Sequence, residues 1–95
     1  MALIGNRKVT CPACKWTTLI SNFGTGMPKT FTIAFNSKYG GDISGEFIEK
    51  KYTWIFPGKP VRGPIVPLME FHREWINAIY SVKVKPDSDI IAEIK

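Results

Sequence analysis

Ninety-five residues with 44% hydrophobic and 22% charged side chains have the length and composition of one globular domain (1–95), and they exclude a disordered chain. No apolar run approaches the ~20 residues of a membrane helix, and the first residues lack the basic and apolar stretches of a signal peptide, so a non-membrane, cytosolic protein is expected. The net charge of +5 is placed unevenly: residues 1–41 hold Arg7, Lys8, Lys15, Lys29 and Lys38 and no acid, whereas residues 63–95 are close to neutral. Such asymmetry points to nucleic acid or to an acidic protein as partner.

Arg7 to Thr10 and Lys15 to Ile20 read as two short strands joined by a knuckle, Cys11-Pro12-Ala13-Cys14. In the second strand Trp16, Thr18 and Ile20 alternate with Thr17 and Leu19. Ser21 to Lys29 reads as a loop around Gly24, Gly26 and Pro28. Thr30 to Asn36 is the clearest strand, with Phe31, Ile33 and Phe35 on one side. Ser37 to Asp42 is a turn. Ile43 to Phe56 is strand-forming, with an irregularity near Glu49-Lys50-Lys51, and Tyr52, Trp54 and Phe56 share a face by period two. Pro57 to Pro67, with four prolines and two glycines, reads as an extended arm without regular structure.

Pro67 to Tyr80 reads as the one helix. At ~100° per residue, Leu68, Phe71, Trp75, Ile76, Ala78 and Ile79 fall on one arc, with Glu70, Arg73, Glu74 and Asn77 opposite. Val82 and Val84 then alternate with Lys83 and Lys85, Pro86 to Asp89 is a turn, and Ile90, Ala92 and Ile94 mark a last strand. The expected fold class is α+β: a small antiparallel β-sheet or open barrel with one helix at about 67–80 and the N-terminal knuckle. The order β-β-β-α-β-β resembles that of an OB-fold in architecture only.

The knuckle is similar to half of a zinc ribbon, because a tight turn lets two thiolates converge on one metal. No third cysteine exists, so a zinc (Zn) site would recruit another ligand. His72, which the helical projection puts in the middle of the apolar arc, is the candidate. It would otherwise be a core histidine bonded to a backbone carbonyl. A redox role for the cysteines lacks the following helix that lowers a thiol pKa.

Basic and aromatic residues interleave: Lys15-Trp16, Lys38-Tyr39, and Lys50-Lys51 before Tyr52. Exposed rings of this kind stack on bases while cations follow phosphates; the same rings could equally belong to the core. The candidate nucleic-acid-binding residues are Arg7, Lys8, Lys15, Trp16, Tyr39, Lys50, Lys51, Tyr52, Lys59 and Arg62. No acid–base pair or cofactor signature is readable, so a non-catalytic module is expected. Two functions remain open. One is a basic accessory domain that binds nucleic acid, single-stranded by preference. The other is a protein-interaction module, such as an enzyme inhibitor or a structural subunit, in the style of a phage or mobile-element accessory protein.

Overall fold

Valine, isoleucine, threonine and aromatic residues crowd almost every segment of this chain, and such residues pack best on a pleated surface. The computed structural model describes residues 7–53, 55 and 58–95, without the side chains of 22–29 and 74–77. It is all-β and antiparallel. The strands are β1 (Arg7–Cys11), β2 (Thr17–Ser37), β3 (Gly45–Tyr52), β4 (Val61–Pro64), β5 (Leu68–Pro86) and β6 (Ile90–Ile94). Their hydrogen-bonded order is β1-β6-β2-β5-β3-β4.

Two strands dominate. β2 has 21 residues and β5 has 19. A straight strand of that length would span about 65–70 Å at ~3.3 Å per residue, yet the longest dimension of the molecule is 40 Å. Both strands therefore bend. The pairing of β2 with β5 slips between Thr18 and Ile20, between Phe23 and Thr25, and between Thr25 and Pro28. Slips of this type bend and twist a ladder locally. The bend divides the sheet into two halves. One holds β1, β6, the second part of β2 and the first part of β5; the other holds the first part of β2, the second part of β5, β3 and β4.

The halves close on a shared core of Cys11, Leu19, Ile20, Phe31, Ile33, Phe35, Ile65, Phe71, Ala78, Tyr80, Val82, Val84, Ile90, Ala92 and Ile94. Phe31 joins them. Its ring stacks on Phe71 at 4.7 Å and meets Tyr80, from the other half, edge-on at 6.2 Å. At one end the loops are tied together by two aspartates. Asp89 accepts from the Ala13 amide through Oδ1, and Asp87 accepts from the Ser44 hydroxyl.

This architecture corrects the α+β expectation and its OB-like order. Residues 67–80 form no helix; Leu68 onward is strand, and no helix occurs among the described residues. The reason lies in the slips. Phe71 is buried in one half, and Ala78, Tyr80, Val82 and Val84 are buried in the other, so the inward parity changes from odd to even between them. A period-two pattern broken by one slip spaces its apolar residues by threes and fours, which imitates a helical arc. The pairing of β2 with β5, forming a long antiparallel ladder, overrides local preference.

Other expectations shift for the same reason. The loop expected over Ser21 to Lys29 is continuous strand, with Gly24, Gly26 and Pro28 in the stretch where the register slips. Leu19 and Ile20, expected on opposite faces, are both buried, because Leu19 is the extra residue of a slip. Part of the proline-rich arm, Val61–Pro64, is an edge strand on β3, a place where proline is tolerated. The alternation of Phe31, Ile33 and Phe35, the alternation of Val82 to Lys85 and the buried set Ile90, Ala92 and Ile94 stand as read; of the turn expected over Pro86 to Asp89, Pro86 still belongs to β5 and the bend begins at Asp87. The face shared by Tyr52, Trp54 and Phe56 lies largely outside the described residues. Among the described residues no helix is long and apolar enough to cross a membrane.

The knuckle does not close a hairpin. β1 pairs with β6 and β2 pairs with β5 and β6, so the two segments beside the cysteines are not neighbours in the sheet. The intervening turn instead docks on the β5–β6 connection, where the Cys14 amide donates to the Pro86 carbonyl at 2.7 Å. Cys14 turns the chain with φ of 61°, in the left-handed region that a non-glycine residue seldom adopts.

Candidate functional site

Strand β3 carries the residues of greatest chemical interest, and its alternation sends them to two faces. Register fixes the outward face, because residues directly opposite one another share a side. Glu46 faces Lys85 on β5; Ile48 faces Lys83 on β5 and Arg62 on β4; Lys50 faces Ser81. On the far side of β5, Thr18 lies opposite Lys83 and Ser21 opposite Ser81. A cleft of about 350 Å³ on this face is lined by Thr18, Ser21, Ile48, Lys50, Tyr52, Ser81 and Lys83, with Lys85 farther along β5. The Lys50 ammonium lies 5.1 Å from the centre of the Tyr52 ring, within cation–π range. Arg62 is engaged with Glu46 at 3.5 Å. Lys50, Lys83 and Lys85 have no ion-pair partner among the described residues.

The inward face of β3 is different. Glu49 is buried, and a buried carboxylate requires partners. Arg73 grips it with two parallel bonds, Nε to Oε2 at 2.5 Å and Nη2 to Oε1 at 3.0 Å, in the fork geometry that guanidinium and carboxylate share. The Tyr80 hydroxyl donates to Oε2 as well. The three residues come from β3 and from both parts of β5, so the bend in β5 is what brings them together. Arg73 also lies 5.2 Å from the Phe71 ring and donates through Nη1 to the His72 carbonyl. The Glu49 bonds hold the guanidinium above its ordinary pKa range. Burial, then the bond to Glu49, pushes the Tyr80 phenol well above its own. A second cleft of about 340 Å³ opens beside this group, lined by Glu49, Lys51, Gly58, Lys59, Val61, Arg73 and Tyr80.

Lys50 and Lys51, expected on one surface, therefore lie on opposite sides of β3: Lys50 lines the outward cleft and Lys51 the inward one, beside Lys59. Lys83 and Lys85, outside the basic stretch, join Lys50 and Tyr52. Arg7 and Lys8 sit on the edge strand β1, with three strands between it and β3 in the sheet order, and Lys8 lies 3.9 Å from Glu93. Lys15 and Trp16 are exposed in the turn just before β2, close in sequence to Thr18 of the outward cleft. Tyr39 is exposed in the turn after β2, with the Lys38 ammonium 5.6 Å from its ring centre.

The expected zinc ligands are scattered. Cys11 ends β1 inside the core, and burial pushes its thiol pKa up to about 11, away from the thiolate that binds metal. Cys14 is exposed. His72, expected to be buried, is exposed on the outward side of β5 opposite Thr30, whose Oγ1 lies 3.3 Å from its Nδ1. The strand period puts His72 out and Phe71 in, where a helical period had put both on one arc. No group of three metal-ligating side chains occurs among the described residues.

Sequence reading missed Glu49, Arg73 and Tyr80 as a unit. The signal available was the position of Glu49, in phase with Phe47 on the inward face, which demands a cation. The helical phase hid Arg73 by sending it to the polar side. No protein-family model, curated protein or solved structure matches the chain.

Proposed function

We propose that this domain binds single-stranded nucleic acid along the outward cleft of β3 and β5, as a non-catalytic module. The observation that carries the reading is the pair Lys50 and Lys83 beside the half-buried Tyr52 ring and the hydroxyls of Thr18, Ser21 and Ser81, with Lys85 on the same face of β5; none of the three lysines has an ion-pair partner among the described residues. Lysines spaced along adjacent strands match a run of phosphates, and an aromatic face next to them accepts a base. Trp16, two residues ahead of Thr18, supplies a further ring, and this one is exposed. An open cleft with cations, hydroxyls and an aromatic ring suits a flexible strand that adapts to it, and uses contacts that do not depend on base identity.

The test is fluorescence anisotropy with labelled oligo-dT and oligo-U at low salt. The double substitution Lys50→Glu with Lys83→Glu should lower affinity at least tenfold without unfolding the domain, since exposed substitutions seldom change stability by more than ~0.5 kcal/mol. Lys51→Glu, on the other face, should bind nearly as well as wild type. The logarithm of the affinity should fall with the logarithm of salt with a slope of about −2, as three neutralised phosphates of a single strand require. No binding at low salt, or equal binding by the double variant, would overturn the reading. Binding of polyglutamate as tight as that of oligo-dT would favour an acidic protein partner instead.

A further inference from the structure

The inward cleft is chemically independent of the outward one, and it is built for a smaller ligand. Three cations, Lys51, Lys59 and Arg73, line it against one carboxylate, Glu49. That carboxylate is already covered by the Arg73 fork and the Tyr80 hydroxyl. Neither Lys51 nor Lys59 has an ion-pair partner among the described residues. Among the described residues two positive charges therefore remain without a compensating carboxylate around a volume of about 340 Å³, near the lower end of the range for small-molecule sites.

The position of Lys59 is set by the backbone. Gly58 has φ of +69°, and a Cβ there would collide with the Lys51 carbonyl oxygen. Only glycine lets the chain press this closely on β3. The segment leading into β4 is thus strapped beside the Lys51 backbone, which places the two lysines on one rim. The other described lining residues with side chains, Val61 and Tyr80, offer an aliphatic and an aromatic surface.

We infer that this cleft is a binding site for a small phosphate monoester whose organic part is compact and apolar. The dianionic phosphate would sit between Lys51 and Lys59, with the guanidinium of Arg73 below. The organic group would lie against Val61 and Tyr80. A dianion matches the two uncompensated charges; a carboxylate of the same shape would leave one of them unmatched. Glu49 acts as a positioning residue, because its bonds fix the direction of the Arg73 fork.

Phenyl phosphate is the probe, titrated into the isotope-labelled protein and followed by two-dimensional amide NMR. Saturable shifts are expected at Lys51, Gly58, Lys59 and Arg73, and not at Ser21, Ile48, Ser81 or Lys83. Inorganic phosphate should bind about tenfold more weakly, benzoate weaker than phenyl phosphate, and phenol not at all. Lys51→Gln with Lys59→Gln should weaken phenyl phosphate at least tenfold, while Lys50→Gln with Lys83→Gln leaves it unchanged. The same two double variants exchange their effects on oligo-dT binding, so failure here is distinguishable from failure of the nucleic-acid reading. Mapping on the wild-type protein needs no variant to fold. Absence of saturable shifts at these four residues, or shifts that persist in the Lys51/Lys59 variant, would overturn the site. Benzoate binding as tightly as phenyl phosphate would overturn the dianion assignment, and inorganic phosphate doing so would overturn the apolar pocket.

Discussion

The two halves of the bent sheet solve the same packing problem with different materials. Around β1, β6 and the second part of β2, the buried positions are Cys11, Phe31, Ile33, Phe35, Ile90, Ala92 and Ile94, all of them apolar. Around β3 and the second part of β5, the core also includes Tyr80 and the buried carboxylate Glu49 tied to Arg73, and both basic clefts open beside it. The first half is a hydrophobic clamp that needs nothing but shape. The second spends interior positions on polar groups, which stabilise less and must be satisfied together. Chemistry concentrates where the fold is less purely hydrophobic.

The comparison breaks first at the ring that joins the halves. Phe31→Ala removes the side chain that touches both Phe71 and Tyr80. A cost of about 3–5 kcal/mol is expected, the range for deleting a large buried aromatic side chain. Urea unfolding at neutral pH measures it. A loss below ~1 kcal/mol would show that the halves do not depend on this contact.

A smaller effect is expected at the polar cluster. Tyr80→Phe keeps the ring and deletes the hydroxyl that donates to Glu49. Hydrogen bonds to charged groups contribute about 1.5–3 kcal/mol, and that is the expected loss. The Arg73–Glu49 fork survives the change, so the outward cleft should bind as before. A Tyr80→Phe variant as stable as wild type would mean that the Arg73 fork alone satisfies the buried Glu49 carboxylate.

The halves also differ in how much of them the sequence discloses. In the clamp, Phe31, Ile33 and Phe35 and then Ile90, Ala92 and Ile94 follow strict alternation, and the turn after Pro86 is marked by its own residues. In the second half, the slip at Leu19 and the parity change between Phe71 and Ala78 break the alternation that such reading relies on. Glycine and proline at 24–28 read locally as a loop, yet the long ladder with β5 carries the backbone through them as strand. The basic and aromatic character of the proposed binding surface is legible in Lys50 and Tyr52. Its completion by Lys83, and the separation of Lys50 from Lys51, required the register.

The smallest effect separates the two cysteines, and it also tests the metal expectation. Cys11 lies in the clamp and Cys14 on the surface. Cys11→Ala should cost roughly 1–2 kcal/mol through lost packing, and Cys14→Ala no more than ~0.5 kcal/mol. A shared metal site would instead make the two changes equally costly. The sign of the pH dependence distinguishes the same alternatives. Burial raises the folded thiol of Cys11 from 9.0 to about 11, so the unfolded chain loses this proton first. The associated stability is fully present below pH 9 and is lost as pH rises toward 11. Tyr80, also raised, adds a decline at still higher pH, but it does so equally in wild type and in Cys11→Ala. The difference between the two unfolding curves therefore isolates Cys11: the stability advantage of wild type over Cys11→Ala should shrink between pH 9 and 11. Metal bound through a thiolate would reverse the slope, because a ligand held deprotonated in the folded state gains stability as pH rises, and a chelator would abolish it. An advantage that grows with pH and disappears on chelation would place a metal at the knuckle and refute the buried-thiol account.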